Sequence, residues 1–278
     1  MAGRSYDAIL LDLDGTLVDD DDRIHPHTLT ALRAADARGV KVMIATGRSE
    51  LATIPVLLQL GLDTPAIVFN GAGLYCPVRK RLLEERVLSE RTLARAVRFG
   101  EERGHMTVAM CAGVKLATNP HTDSEWRALH DMTGVVHVER AQMLTSRALR
   151  VTLFSDRHAT SQEFADELDA SLAQPVYITH FPLACLPHHR ESKLHVCDVH
   201  PPCKGKAEGL RVLHEEYGIP AARVVAVGDA GNDVPMLRAA GLGVAVENAF
   251  PEALAAAVRV IGPNTSGAIG ELVEELLG

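Results

Sequence analysis

Short apolar runs alternate with amphipathic segments at the start of this chain. Residues 8–11, 40–45 and 66–69 are apolar at nearly every position, which is typical of strands buried on both faces of a parallel sheet. The segments between them, about 26–38 and 49–60, have helical periodicity, and a glycine follows each one. Strands and helices in alternation predict a doubly wound α/β fold, whose ligand site lies beyond the carboxyl ends of the strands.

The same pattern returns near the end of the chain, after a long segment of different texture. It predicts a helix over about 204–217, strands at 224–227 and 243–246, a helix up to about 240 and a closing helix over 266–277. Between 84 and 189 the helices are longer, as at 89–103, and the strands are mixed. We therefore expect a Rossmann-like core formed by residues 1–83 and 190–278, with a second, α+β domain inserted over 84–189.

Composition narrows the class of protein. The 278 residues carry 28 Lys+Arg against 36 Asp+Glu, a net charge of −8, which argues against a nucleic acid polymer as the partner. No run approaches 18 uncharged apolar residues, and the N-terminus lacks the pattern of a signal peptide, so we expect no membrane span. The five cysteines form no CxxC pair. They suggest free thiols in a cytoplasmic protein.

Polar side chains follow the predicted core strands at the point where each strand ends. Asp12 and Asp14 follow the first strand, and because they are two residues apart, their side chains project to one side while the chain is extended. The other strand-end and helix-start residues are Thr46, Gly47, Arg48, Asn70, Lys204, Asp229, Asn232 and Asp233. Carboxylates without Cys or His ligands favour a hard cation, best Mg²⁺. A hydroxyl and an ammonium beside them suit phosphate oxygens, so the set predicts phosphoryl transfer.

These motifs resemble those of the haloacid dehalogenase (HAD) superfamily of phosphohydrolases. The residues that carry the resemblance are Asp12-Leu-Asp14-Gly-Thr, Ala45-Thr46-Gly-Arg48, Asn70-Gly-Ala, Lys204-Gly and Gly228-Asp229-Ala-Gly-Asn232-Asp233. The position of the insertion, between Asn70 and Lys204, is similar to that of the Cof-type (HAD-IIB) group, in which a large α/β cap closes over the site and reads the leaving group.

The resemblance implies a role for each site residue. Asp12 would be the nucleophile, forming an aspartyl-phosphate, and Asp14 the general acid and then base. Thr46, Gly47 and Lys204 would bind phosphate. Asp12, the backbone carbonyl of Asp14 and Asp229 would hold Mg²⁺ directly, and Asp233 would hold it through water or from behind the direct ligands. Arg48, Asn70 and Asn232 would orient the substrate or the acidic groups. The implied reaction is hydrolysis of a small phosphorylated metabolite: a sugar, cofactor or nucleotide phosphate.

Two other functions remain open at this stage. A phosphomutase would use the same aspartate pair but return the phosphoryl group to a sugar phosphate. A receiver-like signalling module shares the doubly wound sheet and the acidic strand end, although it has no counterpart to Asp14, to the second Asp pair or to the insertion.

Two further clusters suggest metal sites but have simpler interpretations. His188, His189, His195, Cys197, His200 and Cys203 could bind zinc, but a strand over 194–199 would separate them onto opposite faces. The run Asp19–Asp22 is expected to be a solvated loop, because adjacent side chains cannot all converge on one ion.

Overall fold

The computed structural model of the protein describes residues 6–277. Contacts divide the chain into two units. The core unit comprises the residues up to 48, 52–84 and the residues from 204 onward. The inserted unit comprises 49–51 and 85–203. The mixed α/β fold with an inserted domain is confirmed, as expected from the strand and helix pattern.

The elements before the insertion follow the predicted alternation. They are β1 (Ala8–Leu11), α1 (Pro26–Ala37), β2 (Lys41–Ile44), α2 (Glu50–Leu60), β3 (Ala66–Val68), β4 (Gly73–Cys76) and β5 (Arg81–Glu85). All four residues of β1 are buried, because the strand lies inside the sheet. Helix α2 continues past Pro55 without a break in its range.

The insertion and the end of the chain contribute the remaining elements. Those of the insertion are α3 (Glu90–Arg103), β6 (Met106–Cys111), β7 (Val114–Ala117), α4 (Asp123–His130), β8 (Val135–His137), α5 (Arg140–Leu144), β9 (Arg150–Ser155), α6 (Ser161–Leu172), β10 (Tyr177–Pro182) and β11 (His195–His200). Those that follow are α7 (Glu208–Tyr217), β12 (Val224–Gly228), α8 (Val234–Ala239), β13 (Leu242–Val246), α9 (Pro251–Ala256), β14 (Arg259–Ile261) and α10 (Ala268–Leu277).

The central sheet of the core unit has the strand order β14-β13-β12-β1-β2. The paired strands are parallel throughout, and a bridge between Ala45 and Ile67 brings β3 beside β2. Strand β1 lies between β12 and β2, so the residues after β1, β2 and β12 reach one edge of the sheet. This topology brings the aspartates of two distant segments together. Strands β3, β4 and β5 form a second, three-stranded sheet.

The inserted unit has its own sheet and its own hydrophobic core. The sheet has the order β10-β11-β9-β6-β7-β8, and its pairs are antiparallel except for β7 and β8. One face packs against α3, α5 and α6, where Phe99, Phe164 and Met143 are fully buried beside Leu153 and Val199. The alternation of side chains along each strand therefore supplies one apolar face.

The second domain boundary lies later than the sequence predicts. Strand β11 pairs with β9 and β10, so residues 195–200 belong to the sheet of the inserted unit and not to the core, as 190–278 implied. The boundary falls at 203/204. The reason is that the residues of a strand do not by themselves specify the sheet in which the strand pairs, because pairing depends on contacts with distant segments.

Within residues 6–277, none of the helices combines the length and apolar character that a bilayer crossing requires.

A buried histidine in the inserted unit gives this fold a pH dependence. The ring of His105 lies among those of Phe99, Phe164 and His158, at centroid distances of 5.9, 5.1 and 5.6 Å. Its Nε2 is buried and makes no hydrogen bond within the described residues. Burial, with the neighbouring charge of His158 second, lowers the pKa of His105 from 6.5 to about 4.

We expect the stability contributed by neutral His105 to be complete above pH 6.5 and to be lost as the pH falls towards 4. Between pH 6.5 and about 4, His105 binds a proton in the unfolded chain but stays neutral in the folded protein. A fall in pH through this range therefore favours unfolding. Urea unfolding at several pH values should therefore give a weaker acid dependence for His105→Phe than for the wild type. Phenylalanine at the exposed His121 is the matched control and should leave the slope unchanged. Equal slopes for both variants would contradict the assignment.

Candidate active site

Strand β1 delivers Asp12 into a cluster of buried charges. Asp12 follows the strand directly, and its backbone N–H donates to the carbonyl of Val227 on β12 over 3.0 Å. Its side chain is 4% exposed and lies with those of Asp229 and Asp233. One carboxylate oxygen from each of the three lies within 4.8 Å of the others. Two loops far apart in sequence thus form one acidic centre.

Lys206 partly neutralises this acidic centre. Its Nζ donates to Asp12 Oδ1 and to Asp233 Oδ1, both over 2.7 Å, and its side chain is 3% exposed. The two carboxylates hold the pKa of Lys206 above its usual range despite burial, which acts in the opposite direction. Burial first, and Asp233 second, raise the pKa of Asp12 well above its usual range and that of Asp229 to about 6.

Lys204 lies outside the acidic centre, and its expected binding of phosphate stays a prediction. The side chain of Lys204 is exposed, and its backbone N–H donates to Glu208 Oε1 over 3.1 Å. The lysine inside the site is Lys206, two residues later. Helical spacing is the signal that could have identified it, because Lys206, Leu210 and Leu213 are at i, i+4 and i+7, and both leucines are buried.

Backbone and hydroxyl donors fix the two acidic groups after β12. Asp233 Oδ2 accepts the N–H groups of Asp229 and Ala230 over 3.0 and 2.9 Å. Asp229 Oδ1 accepts from the hydroxyl of Thr16 over 2.8 Å. A charged oxygen that accepts several hydrogen bonds is held in place, so these carboxylates are preorganised. Sequence reasoning missed the contribution of Thr16.

The residues after β2 and β3 are hydrogen-bonded to one another. Thr46 is fully buried, its Oγ1 accepts the N–H of Arg48 over 3.0 Å, and its carbonyl accepts the N–H of Asn70 over 3.0 Å. Asn70 has a left-handed backbone with φ 49°, and its Oδ1 accepts Asn232 Nδ2 over 3.0 Å. The pair Asn70–Asn232 thus joins the third motif to the last. A Cβ at Gly47 would lie 3.2 Å from Asn70 Nδ2, which explains the small residue there.

Asp14 has a different environment from Asp12. Its side chain is 51% exposed and lies outside the group of three carboxylates. Arg48 holds it: Nε donates to both carboxylate oxygens over 3.1 Å, and Nη2 donates to Oδ1 over 2.5 Å. Two aspartates that are neighbours in sequence therefore have separate surroundings, one buried among charges and one accessible.

The donor set fits a hard divalent cation. Asp12, Asp229 and Asp233 with Lys206 amount to a net charge of −2 when all four are ionised, and all are at most 6% exposed. A buried excess of negative charge is costly, as the raised pKa values of Asp12 and Asp229 indicate. A divalent ion with oxygen ligands would compensate this excess. The expected ligation by the backbone carbonyl of Asp14 remains a prediction.

The histidines and cysteines around 188–203 do not form a comparable group. Within residues 6–277, only the acidic centre brings three potential ligand atoms of His, Cys, Asp or Glu within 4.8 Å of one another. Cys197 packs into the hydrophobic core of the inserted unit. His200 contacts Tyr177 and Thr179 instead.

The chain belongs to the haloacid dehalogenase-like hydrolases. The model of that family matches residues 9–273. This places the protein among enzymes of the hydrolase class and confirms the resemblance expected from the motifs.

Individual relatives cover nearly the whole chain. The pyridoxal phosphate phosphatase YbhA of Escherichia coli K12 is 29% identical over 95% of this chain and 96% of its own length. An HMP-PP phosphatase of Cronobacter sakazakii is 29% identical over 88% and 85%. The structure of the HAD subclass IIB sugar phosphatase BT4131 superposes with a TM-score of 0.81 over 96% of this chain and 98% of that one. At 24% identity, this last likeness concerns the fold.

Glycine at position 15 is required by the geometry of Asp229. Gly15 has φ +71°, and a Cβ there would lie 2.5 Å from Asp229 Oδ2. We expect Gly15→Ala to displace Asp229 and to lower phosphate release by about 100-fold, the loss that a misplacement of about 1 Å can cause in an active site.

The matched control is Gly39→Ala. Gly39 also has a positive φ, +86°, but a Cβ there would meet nothing within 4 Å. Both variants should lose about 1–2 kcal/mol of stability from the left-handed backbone, measured by urea unfolding. Equal activity in the two variants would contradict a role for the contact with Asp229.

Proposed function

We propose that the protein is a Mg²⁺-dependent phosphomonoester hydrolase that acts on a small phosphorylated metabolite through a covalent phosphate on Asp12. The observation that carries this proposal is the acidic centre: three buried carboxylates within 4.8 Å of one another and one ammonium between two of them. Relatives named as phosphatases of pyridoxal phosphate and HMP-PP support a small organic phosphate as substrate. The inserted unit is the candidate for reading the leaving group.

In the first step Asp12 is the nucleophile. A carboxylate oxygen of Asp12 attacks phosphorus, and the bond between phosphorus and the ester oxygen breaks. Asp14 gives its proton to that oxygen, so a neutral alcohol leaves. The exposure of Asp14 suits this role, because its carboxyl group is open to substrate and solvent while Asp12 is enclosed.

In the second step water releases the phosphate. Asp14, now a carboxylate, takes a proton from water as the water oxygen attacks phosphorus. The bond to Asp12 breaks, and inorganic phosphate and the free carboxylate are restored. Thr46 and Lys206 would bind the phosphoryl oxygens through a hydroxyl and an ammonium. Mg²⁺ held by Asp12, Asp229 and Asp233 would supply neutralisation of the phosphoryl charge.

Sustained phosphate release is the test of this proposal. Purified protein with Mg²⁺ and an aryl phosphate should release many equivalents of phosphate, EDTA should stop the release and added Mg²⁺ should restore it. Asp12→Asn should release none while it keeps the wild-type circular dichroism spectrum. A single equivalent bound without turnover would instead indicate a signalling module. Interconversion of sugar phosphates with little free phosphate would indicate a mutase. Full activity in EDTA would remove the metal from the proposal.

The two neighbouring lysines provide a second test. Lys206→Met removes the ammonium that contacts Asp12 and Asp233, so we expect turnover to fall by at least about 100-fold, the usual cost of losing one charged donor from a transition state. Lys204→Met removes the same charge from an exposed side chain and should leave kcat within about twofold. Circular dichroism checks that both variants fold. The opposite ranking would restore Lys204 to the role expected from the sequence.

A further inference from the structure

The guanidinium of Arg48 is shared between two carboxylates. Besides its three contacts with Asp14, its Nη2 donates to Asp22 Oδ1 over 2.5 Å, and Nη1 donates to the carbonyl of Ala52 over 3.4 Å. The side chain of Arg48 is 15% exposed, whereas those of Asp14 and Asp22 are 51% and 55% exposed. A largely buried cation therefore sits between two accessible anions.

The loop that carries Asp22 is built to hold it there. Asp19 Oδ1 accepts the N–H groups of Asp21 and Arg23, both over 2.9 Å, which closes a tight turn. Asp22 itself has φ +60°, a left-handed conformation that aspartate tolerates better than most residues. Gln59 of α2 donates to the carbonyl of Asp22 over 3.1 Å and accepts the N–H of Ile24 over 2.7 Å. The loop that the sequence predicts to be solvated is thus also held by these hydrogen bonds.

The proposed reaction makes competing demands on Asp14. Its two carboxylate oxygens accept hydrogen bonds from Arg48. The same carboxyl group must give a proton to the leaving oxygen and later take one from water. When Asp14 turns from Arg48, the guanidinium loses its charged partner, and a buried cation without a partner is costly. A second carboxylate that stays in place would limit this cost and keep Arg48 from moving with Asp14.

We propose that Asp22 is a positioning residue that anchors Arg48, so that Asp14 can leave Arg48 for the substrate and return to it. This inference rests on the proposed function. Within residues 6–277, the side chain of Asp22 hydrogen-bonds to Arg48 and not to the acidic centre. We therefore infer that it acts through Arg48. The other interpretation is that Asp22 only shapes its loop.

The experiment compares single variants in Mg²⁺-dependent hydrolysis of an aryl phosphate. Asp22→Asn and Asp22→Gly both tolerate the left-handed backbone and both remove the charge. Each should lower kcat by about 10-fold to 100-fold, the value of one charge-assisted hydrogen bond, with KM within about twofold. The matched control is Asp21→Asn, which removes the same charge from the same loop. Asp21 contacts Arg23 and not Arg48, so the kcat of this variant should match that of the wild type. Urea unfolding should show all three folded.

A double-mutant cycle separates anchoring from loop structure. In an Arg48→Ala background, Asp22→Asn should cause no further loss, because its partner is gone. An undiminished loss in that background would overturn the proposal, as would Asp22 variants that behave like Asp21→Asn. If the wild type itself released no phosphate, the proposed function would fail and this inference with it. Normal wild-type turnover with unaffected Asp22 variants would reject the role of Asp22 alone.

Discussion

The burial of unbalanced charge at one edge of a parallel sheet is the constraint on which the rest of this structure depends. When all four are ionised, Asp12, Asp229, Asp233 and Lys206 together carry a net charge of −2 in a place that water barely reaches. Such a centre is costly in a folded protein. Hydrogen bonds hold its carboxylates in place: Asp233 accepts from backbone N–H groups, Asp229 from the Thr16 hydroxyl, and Asp12 and Asp233 both accept from the Lys206 ammonium.

The topology of the core serves this centre. Strand β1 is flanked by β12 and β2, so the loops after all three strands reach the same edge. The segment after β3 approaches the segment before α7 so closely that it leaves no room for a side chain: a Cβ at Gly71 would lie 2.4 Å from the carbonyl oxygen of Gly205. The turn that begins at Gly205 therefore lies close against the backbone at Gly71, and Lys206 follows it directly.

Around the acidic centre lies a layer of polar groups that contact one another. Arg48 holds Asp14, Asp22 shares Arg48, and Asn70 joins Asn232. Asn248 adds another link, donating to the carbonyl of Gly15 over 2.7 Å. Each of these polar contacts connects segments that are far apart in sequence. Among them, Arg48 holds the accessible Asp14, while Asp12 lies buried beside Lys206. The proposed reaction uses both environments, because Asp14 has to move protons and Asp12 has to attack phosphorus.

Local chemistry in the sequence is enough to predict the core strands and their polar ends. Apolar runs ending in Asp12, Thr46 and Asp229 predict buried parallel strands, because strand burial and strand-end polarity are properties of neighbouring residues. The folded chain alone shows that Lys206 and not Lys204 contacts Asp12 and Asp233, because that contact joins segments 194 and 27 residues apart. The tertiary structure also assigned β11 to the inserted sheet and brought Asp22 to Arg48, because strand pairing and long-range ion pairs depend on where distant segments meet.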